Sequence, residues 1–425
     1  MKLDIRSFCR KEIHCSCGRT HYCDLSAAVV ESGALKHLPD LLKDYSRIVL
    51  AADENTWSAC GEQAAALLGA QIEKVLIFRR KGLLVPDEQA VAELEEALSP
   101  QTDFILGVGS GVINDICKYV SFQRGMEYAI AGTAPSMDGY ASSGAAMIMG
   151  GMKVTYTTRA PKYIIADVDV VRNAPLNMIR SGYGDIIGKY SSLCDWRLAH
   201  LINGEHFCPE IHDLVLNVTN ETRAQVKAIL SRDPEAIAFL TNALILIGVT
   251  LSLLGCTRPG SGSEHHLSHF FEISGLIHNQ PYFLHGTDVA YSTVVTAAMR
   301  EEIAALEEPV FTAICKEDRL AAYSRIYGPY AGEVQKLQDD AHSYERDLTP
   351  VYTDKWPQIR TLLSECPSAA EITRMFTDAG FDMSAFEALY GADKIRDAMF
   401  YGKDLKDRYS VLWLYYALFA GRERE

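Results

Sequence analysis

The chain has 425 residues, 48% of them apolar and 23% charged, the proportions of an ordinary globular protein with enough length for two cores. A formal net charge of −14 excludes nucleic acid and anionic membrane as natural partners, since both require a basic face; one small phosphorylated ligand needs only a local cluster of donors. The opening Met1-Lys-Leu-Asp-Ile-Arg lacks the apolar core of a secretory signal and the 11 cysteines are scattered, so reduced thiols and a cytoplasmic location are expected.

The first element in chain order is a dense run, His14-Cys-Ser-Cys-Gly-Arg-Thr-His-Tyr-Cys23. Cys15, Cys17, His21 and Cys23 have the chemistry of four zinc ligands, at spacings shorter than structural zinc pairs usually show. A plain hairpin turn around Gly18 is the alternative. Strands and helices then alternate. Arg47–Asp53 reads as a strand followed by a helix through 61–68, and Lys74–Phe78 as a strand followed by a helix over 87–98. Strand 103–107, helix 112–122 and strand 128–131 continue the series, which predicts a parallel sheet covered by helices.

Near Pro175 the pattern changes. Helical periodicity dominates over 176–201, 212–230, 236–255, 264–276, 288–306, 320–348 and 368–380. The chain therefore divides into an α/β dinucleotide-binding domain, 1–175, and an all-helical metal and substrate domain, 176–425. Ala236 to Cys256 approaches a membrane span in length and apolarity. It carries Thr241, Asn242, Thr250 and Ser252 and has no flanking aromatic anchors, so it is read as a central helix of the all-helical domain, without membrane insertion.

Chemistry concentrates at a few positions. Gly107-Val-Gly-Ser-Gly111 joins a strand to a helix, a turn whose N–H groups can face a pyrophosphate, although such turns are common without a ligand. Asp53 ends a strand where an acid can hold ribose hydroxyls; capping the next helix is its alternative role. Asp185 lies in a helix punctuated by Gly182 and Gly184. His265 and His269 share one helical face at i and i+4, and His285 follows 20 residues after His265 beside Gly286. A carboxylate and two imidazoles can hold a divalent metal and leave a coordination position for substrate.

In order along the chain, Gly107-Val-Gly-Ser-Gly-Val-Ile-Asn-Asp-Ile-Cys-Lys118, Thr133-Ala-Pro-Ser-Met-Asp-Gly-Tyr-Ala-Ser142 and Gly182-Tyr-Gly-Asp-Ile-Ile-Gly-Lys-Tyr resemble the sn-glycerol-1-phosphate dehydrogenases. Asp195-Trp-Arg-Leu-Ala199, Arg258-Pro-Gly-Ser-Gly-Ser-Glu-His-His-Leu-Ser-His269 and Leu284-His-Gly286 extend the likeness, which is nearest to the bacterial branch associated with arabinose operons. Ile395-Arg-Asp and Lys406-Asp-Arg-Tyr-Ser-Val-Leu412 resemble that branch's closing segment. The family sits within the group of iron-type alcohol dehydrogenases and dehydroquinate synthase. The resemblance implies a dehydroquinate synthase-like fold, with a Rossmann-like parallel sheet followed by an all-α domain.

The resemblance further implies Asp185, His265 and His285 as ligands of one divalent ion, zinc or nickel rather than iron. It puts His269 and Asp138 at the substrate as catalytic residues, with Asp53, Gly109, Ser110, Gly111, Asp115, Thr133, Ser136 and Ser142 around NAD(H) or NADP(H). Thr287 after His-Gly and Met137 in place of a common histidine are departures. The expected reaction is reduction of dihydroxyacetone phosphate to sn-glycerol 1-phosphate, a step of phospholipid metabolism, by a homodimer or higher homo-oligomer. Lys189, Arg258 and His266 are candidate phosphate holders by motif proximity. A glycerol dehydrogenase acting on the unphosphorylated polyol and a non-catalytic nucleotide-binding relative are the alternatives; a dehydroquinate synthase-like lyase fits less well because Asp185 stands at its ligand position.

Overall fold

The computed structural model describes residues 4–150, 152–314 and 319–420. The chain forms two compact units, Met1–Ile186 with Ala224–Thr257, and Ile187–Arg223 with Arg258–Glu425. Secondary structure does change character near residue 175: among the described residues, every strand precedes it and helices follow. The compact units divide elsewhere, because the helix Pro234–Leu254 belongs to the first unit. The expectation that this helix lies at the centre of the helical part is corrected accordingly.

In the first unit β1 (Ile13–His14) and β2 (Thr20–His21) make a small antiparallel hairpin. The main strands are β3 (Ala27–Glu31), β4 (Ile48–Asp53), β5 (Ile72–Phe78), β6 (Phe104–Gly109) and β7 (Glu127–Gly132). An antiparallel ribbon, β8 (Gly144–Met149) with β9 (Met152–Thr157), comes before the last strand, β10 (Tyr163–Asp167). The sheet runs β3-β10-β7-β6-β4-β5, and every pairing in it is parallel. Ile48 through Ala52 are fully buried, the continuous apolar run of a parallel strand covered on both faces.

The sequence pattern locates β4 to β7 and misses β3 and β10. Both are five residues long, and β10 follows a ribbon rather than a helix, so strand-helix alternation does not pick it out. The strand order reverses at β4, whose sequence successor β5 lies on one side and β6 on the other. In open parallel sheets the crevice beyond the carboxyl ends at such a reversal is the usual ligand site. The register aligns Ala52 with Val108 and Gly109 with Gly132, so β4, β6 and β7 finish at the same edge.

The buried helix Pro234–Leu254 satisfies its own polar side chains. Thr241, Asn242 and Thr250 donate back to the carbonyls of Ile237, Ala238 and Ile247. It is long and apolar enough to cross a membrane, yet 78% of its most apolar window is buried in protein. Mean hydropathy alone cannot separate those cases; packing does.

After residue 175 the described residues are helical. The predicted helix over 176–201 is interrupted at Gly188, giving Leu176–Ile187 and Lys189–Asn203. That over 320–348 breaks at Gly328, where φ is +52°, and Pro329 follows; Leu320–Tyr327 and Ala331–Asp340 result. Ser263–His278 and His285–Ala304 carry the histidines. Beneath them Phe271, Tyr291, Phe386 and Tyr390 form an aromatic cluster with ring centroids 4.2 to 5.3 Å apart in successive pairs.

Candidate functional site

At the reversal in the first unit's sheet, Ser110 caps the helix Gly111–Gln123 without a side-chain hydrogen bond. The turn that leads into it requires glycine. A Cβ on Gly109 would stand 2.5 Å from Ile113 Cγ1, and one on Gly111 would press on Met137 at 3.3 Å. Thr133 follows β7 at the same edge, its N–H donating to the Gly109 carbonyl at 3.0 Å. Asp53 ends β4 and does cap the residues after it. Its Oδ1 accepts the Thr56 N–H at 2.8 Å, while its own N–H donates to Thr56 Oγ1 at 2.9 Å. The cap fixes the side chain at the sheet edge, so the two roles read from the sequence are compatible.

Asp115 and Ser142 have local structural partners. Lys118, fully buried, donates to Gly139 O and Gly144 O at 2.9 Å each and to Ser142 Oγ at 3.2 Å. Asp115 lies 3.7 Å from that ammonium and accepts the Ala146 N–H. Burial lowers the Lys118 pKa and the neighbouring Asp115 charge opposes it. This network anchors the loop that leads from Thr133 to the β8–β9 ribbon.

The same loop is fixed on two sides. From the helix Leu176–Ile187, Ser181 donates to the Ser136 carbonyl at 3.0 Å, and Asp185 Oδ2 accepts the Asp138 N–H at 2.9 Å. Gly182 lies between them, and a Cβ there would fall 1.9 Å from the Pro135 carbonyl oxygen. On the other side, Gly248 of the apolar helix would place a Cβ 2.6 Å from the Asp138 carbonyl, and Ser252 donates to Ala141 O at 2.7 Å. Two glycines thus allow helix backbones to touch the loop that presents Asp138. Asp185 itself is fully buried. A carboxylate in that position calls for compensation by hydrogen bonds and positive charge.

In the second unit, His265, His269 and His285 gather. Ring centroids are 5.1 Å apart for His265 and His285, 5.8 Å for His269 and His285, and 6.1 Å for His265 and His269. His265 Nδ1 donates to Glu264 Oε1 at 2.6 Å, which fixes the ring and leaves Nε2 as the lone-pair nitrogen. Glu264 also accepts the Gly262 N–H at 2.8 Å. Gly262 has no room for a side chain: a Cβ would meet Asp195 Oδ2 and Ser192 Cα at 2.7 Å each.

Asp195, quoted in the sequence only as part of a motif, holds this region together. Its two oxygens accept the N–H groups of Ser263 at 2.6 Å and Val411 at 2.7 Å. Burial pushes its carboxyl up, helped by the Glu264 charge, and both N–H donors oppose the rise. The start of the second histidine helix has its own anchor. Tyr390, which sequence reasoning missed, donates to Asp288 Oδ1 at 2.8 Å, one turn beyond His285. No local pattern marks that pairing, since 102 residues separate the two.

Cations surround the loop before His265. Arg258 makes a two-pronged ion pair with Glu205 and donates to Tyr409 O at 2.8 Å. Lys189 donates to Gly260 O at 2.8 Å. Lys406 reaches Ser261 Oγ and Arg408 reaches Ser261 O, both at 3.2 Å. His266 is fully buried and its pKa is pushed well below the usual value, first by burial and then by the charges of Lys406, Arg408 and Arg258. It is neutral at pH 7, which removes it from the cationic phosphate candidates. Lys406 and Arg408, both half-buried, take its place.

Residues 29–175 match the iron-containing alcohol dehydrogenase family. The glycerol-1-phosphate dehydrogenase [NAD(P)+] of Halalkalibacterium halodurans is 29% identical over 94% of each chain. That of Bacillus velezensis is 34% identical over 63% of this chain and 68% of the relative. Among solved structures, a 1,3-propanediol oxidoreductase superposes with a TM-score of 0.60 at 14% identity, covering 94% of this chain and 99% of the other. At that identity the superposition speaks for the fold alone, a parallel sheet followed by helices.

Proposed function

The chain belongs to the glycerol-1-phosphate dehydrogenase family; from that premise we propose that it is an NAD(P)-dependent oxidoreductase that reduces dihydroxyacetone phosphate to sn-glycerol 1-phosphate, with the work divided among its residues as follows. Asp185, His265 and His285 hold one divalent ion. The donor set fits: one buried carboxylate and two imidazoles, one of them oriented by Glu264, suit zinc or nickel and leave positions open. When bound, the ion polarises the substrate ketone and the reduced nicotinamide supplies hydride.

The chain's own residues do the rest. The N–H groups at Gly109–Gly111 and the helix that begins there receive the cofactor pyrophosphate, and Asp53 the adenosine ribose, which favours NADH over a 2′-phosphorylated cofactor. Thr133 and Ser136 line the nicotinamide side. Asp138, held by two helices, orients the terminal hydroxyl of the substrate. His269 delivers the proton that the product oxygen needs, since an imidazole exchanges protons near neutral pH. The observation that carries this reading is the group of three imidazoles with Glu264 fixing one of them.

Purified protein stripped with a chelator and refilled with zinc or nickel is expected to regain NADH oxidation with dihydroxyacetone phosphate in preference to dihydroxyacetone. Equal rates before and after stripping would overturn the metal assignment; preference for the unphosphorylated ketone would overturn the phosphate assignment.

The phosphate is assigned to Lys406 and Arg408 at Ser261. Arginine matches phosphate geometry through a planar fork, and the lysine adds a point charge. Arg408→Met is expected to raise KM for dihydroxyacetone phosphate roughly tenfold or more, the scale of one charge-assisted contact, and to leave turnover of dihydroxyacetone unchanged. A variant that loses both substrates alike would show that Arg408 supports the loop and does not bind the phosphate.

A further inference from the structure

The N-terminal hairpin carries a second cluster of metal-binding side chains that the dehydrogenase chemistry does not use. β1 and β2 pair Ile13 with His21 and His14 with Thr20, and between them the chain turns tightly. Cys15 N–H donates to Arg19 O and Gly18 N–H to Cys15 O, both at 3.1 Å, with Gly18 at φ +84°. The turn brings Cys15, Cys17 and His21 onto one side, where a ligand atom of each lies within 4.8 Å of the others.

Two details distinguish this cluster from chance proximity. The ring of His21, 3% exposed, has Nδ1 2.9 Å from the Leu253 carbonyl. A carbonyl only accepts, so the proton sits on Nδ1 and Nε2 keeps its lone pair. That is the tautomer, and the kind of carbonyl partner, that metal-bound histidines show. Nε2 points at Cys17 Sγ, 3.3 Å away, and the Cys17 N–H points at Cys15 Sγ at 3.5 Å. With Zn–S near 2.3 Å and Zn–N near 2.05 Å, the edges of a tetrahedral site are about 3.6 to 3.8 Å. The Nε2–Sγ separation is already near such an edge, and the ligand atoms of all three side chains lie within 4.8 Å of one another.

We propose that Cys15, Cys17 and His21 bind a structural zinc ion. The sequence-based choice of Cys23 as fourth ligand gives way. Cys23 is not among the side chains whose ligand atoms lie within 4.8 Å of one another. All three ligands lie on one tight hairpin, so this ion braces that turn.

Cobalt(II) substitution into the full-length protein tests this independently of activity. The ligands proposed for the dehydrogenase ion are oxygen and nitrogen, so near-ultraviolet thiolate-to-cobalt absorption reports the hairpin cluster alone. Wild type is expected to show that absorption, Cys23→Ser to retain it, and Cys17→Ser alone to lose roughly half, the share of one thiolate in two. Cys15→Ser with Cys17→Ser should abolish it. Absence of the band in cobalt-loaded wild type, or its survival in the double variant, overturns the site. Loss of the band in Cys23→Ser overturns the choice of ligands. Because the double variant could fail to fold, wild type is also alkylated with iodoacetamide before and after chelation. Protection of Cys15 and Cys17 that the chelator removes supports zinc; equal labelling in both states, the result expected of a mere S–H···N hydrogen bond, refutes it.

Discussion

Asp185→Asn is expected to lose bound divalent metal and to lower kcat/KM by roughly a thousandfold, while the protein melts within a few degrees of wild type. The substitution is chosen because it separates charge from shape. An asparagine oxygen can still accept the Asp138 N–H that Asp185 Oδ2 now accepts at 2.9 Å, so the loop carrying Asp138 stays in place. What disappears is the negative charge, buried completely, that makes this side chain a ligand. Without a metal the uncharged amide is also easier to bury, so stability is not expected to fall. Metal content by elemental analysis, steady-state rates and a thermal melt decide the matter together. Stoichiometric metal with full activity would refute Asp185 as a ligand. A collapse of the melt would show that its main role is to hold the loop.

Gly182→Ala is the second change with a large expected effect, and it acts through packing. Its Cβ would lie 1.9 Å from Pro135 O and 2.8 Å from Pro135 C, both backbone atoms that cannot rotate away. Overpacking usually costs about 1–3 kcal/mol, and a clash against rigid backbone on both sides belongs at or above the top of that range. The helix Leu176–Ile187 has to withdraw, taking with it the Ser181–Ser136 and Asp185–Asp138 hydrogen bonds. Both stability and turnover are therefore expected to fall. Gly332→Ala is the control: it lies in the helix Ala331–Asp340 with open space around its Cβ position. There alanine favours the helix and is expected to stabilise by about 0.4–1 kcal/mol without touching activity. A Gly182→Ala protein as stable and active as wild type would show that the loop and helix have slack that the distances deny.

The two expectations differ in how far the sequence alone could have carried them. Asp185 was visible as a candidate because an acid among glycines, followed by well-spaced histidines, is a recognisable donor pattern. Gly182 was visible only as a glycine. Its reason, contact with a carbonyl 47 positions earlier in the chain, appears only when the helix and the loop are packed together. Asp195 and Tyr390 follow the same rule, since each acts through a partner with no fixed spacing from it: Val411 for one, Asp288 for the other.

By itself the sequence determined the parallel α/β beginning, the helical remainder, the glycine turn, Asp53 at a strand end and the set of histidines. These are local or periodic properties, set by backbone geometry over a few residues and by the alternation of strands with helices. Only the tertiary structure decided which unit the helix Pro234–Leu254 joins, where helices break at Gly188 and Gly328, and that His266 is buried and neutral while Lys406 and Arg408 approach Ser261. It also separated Cys23 from Cys15, Cys17 and His21. The physical reason is common to all of these: burial, charge environment and close backbone contact depend on residues far apart in the chain, and no spacing along the sequence encodes them.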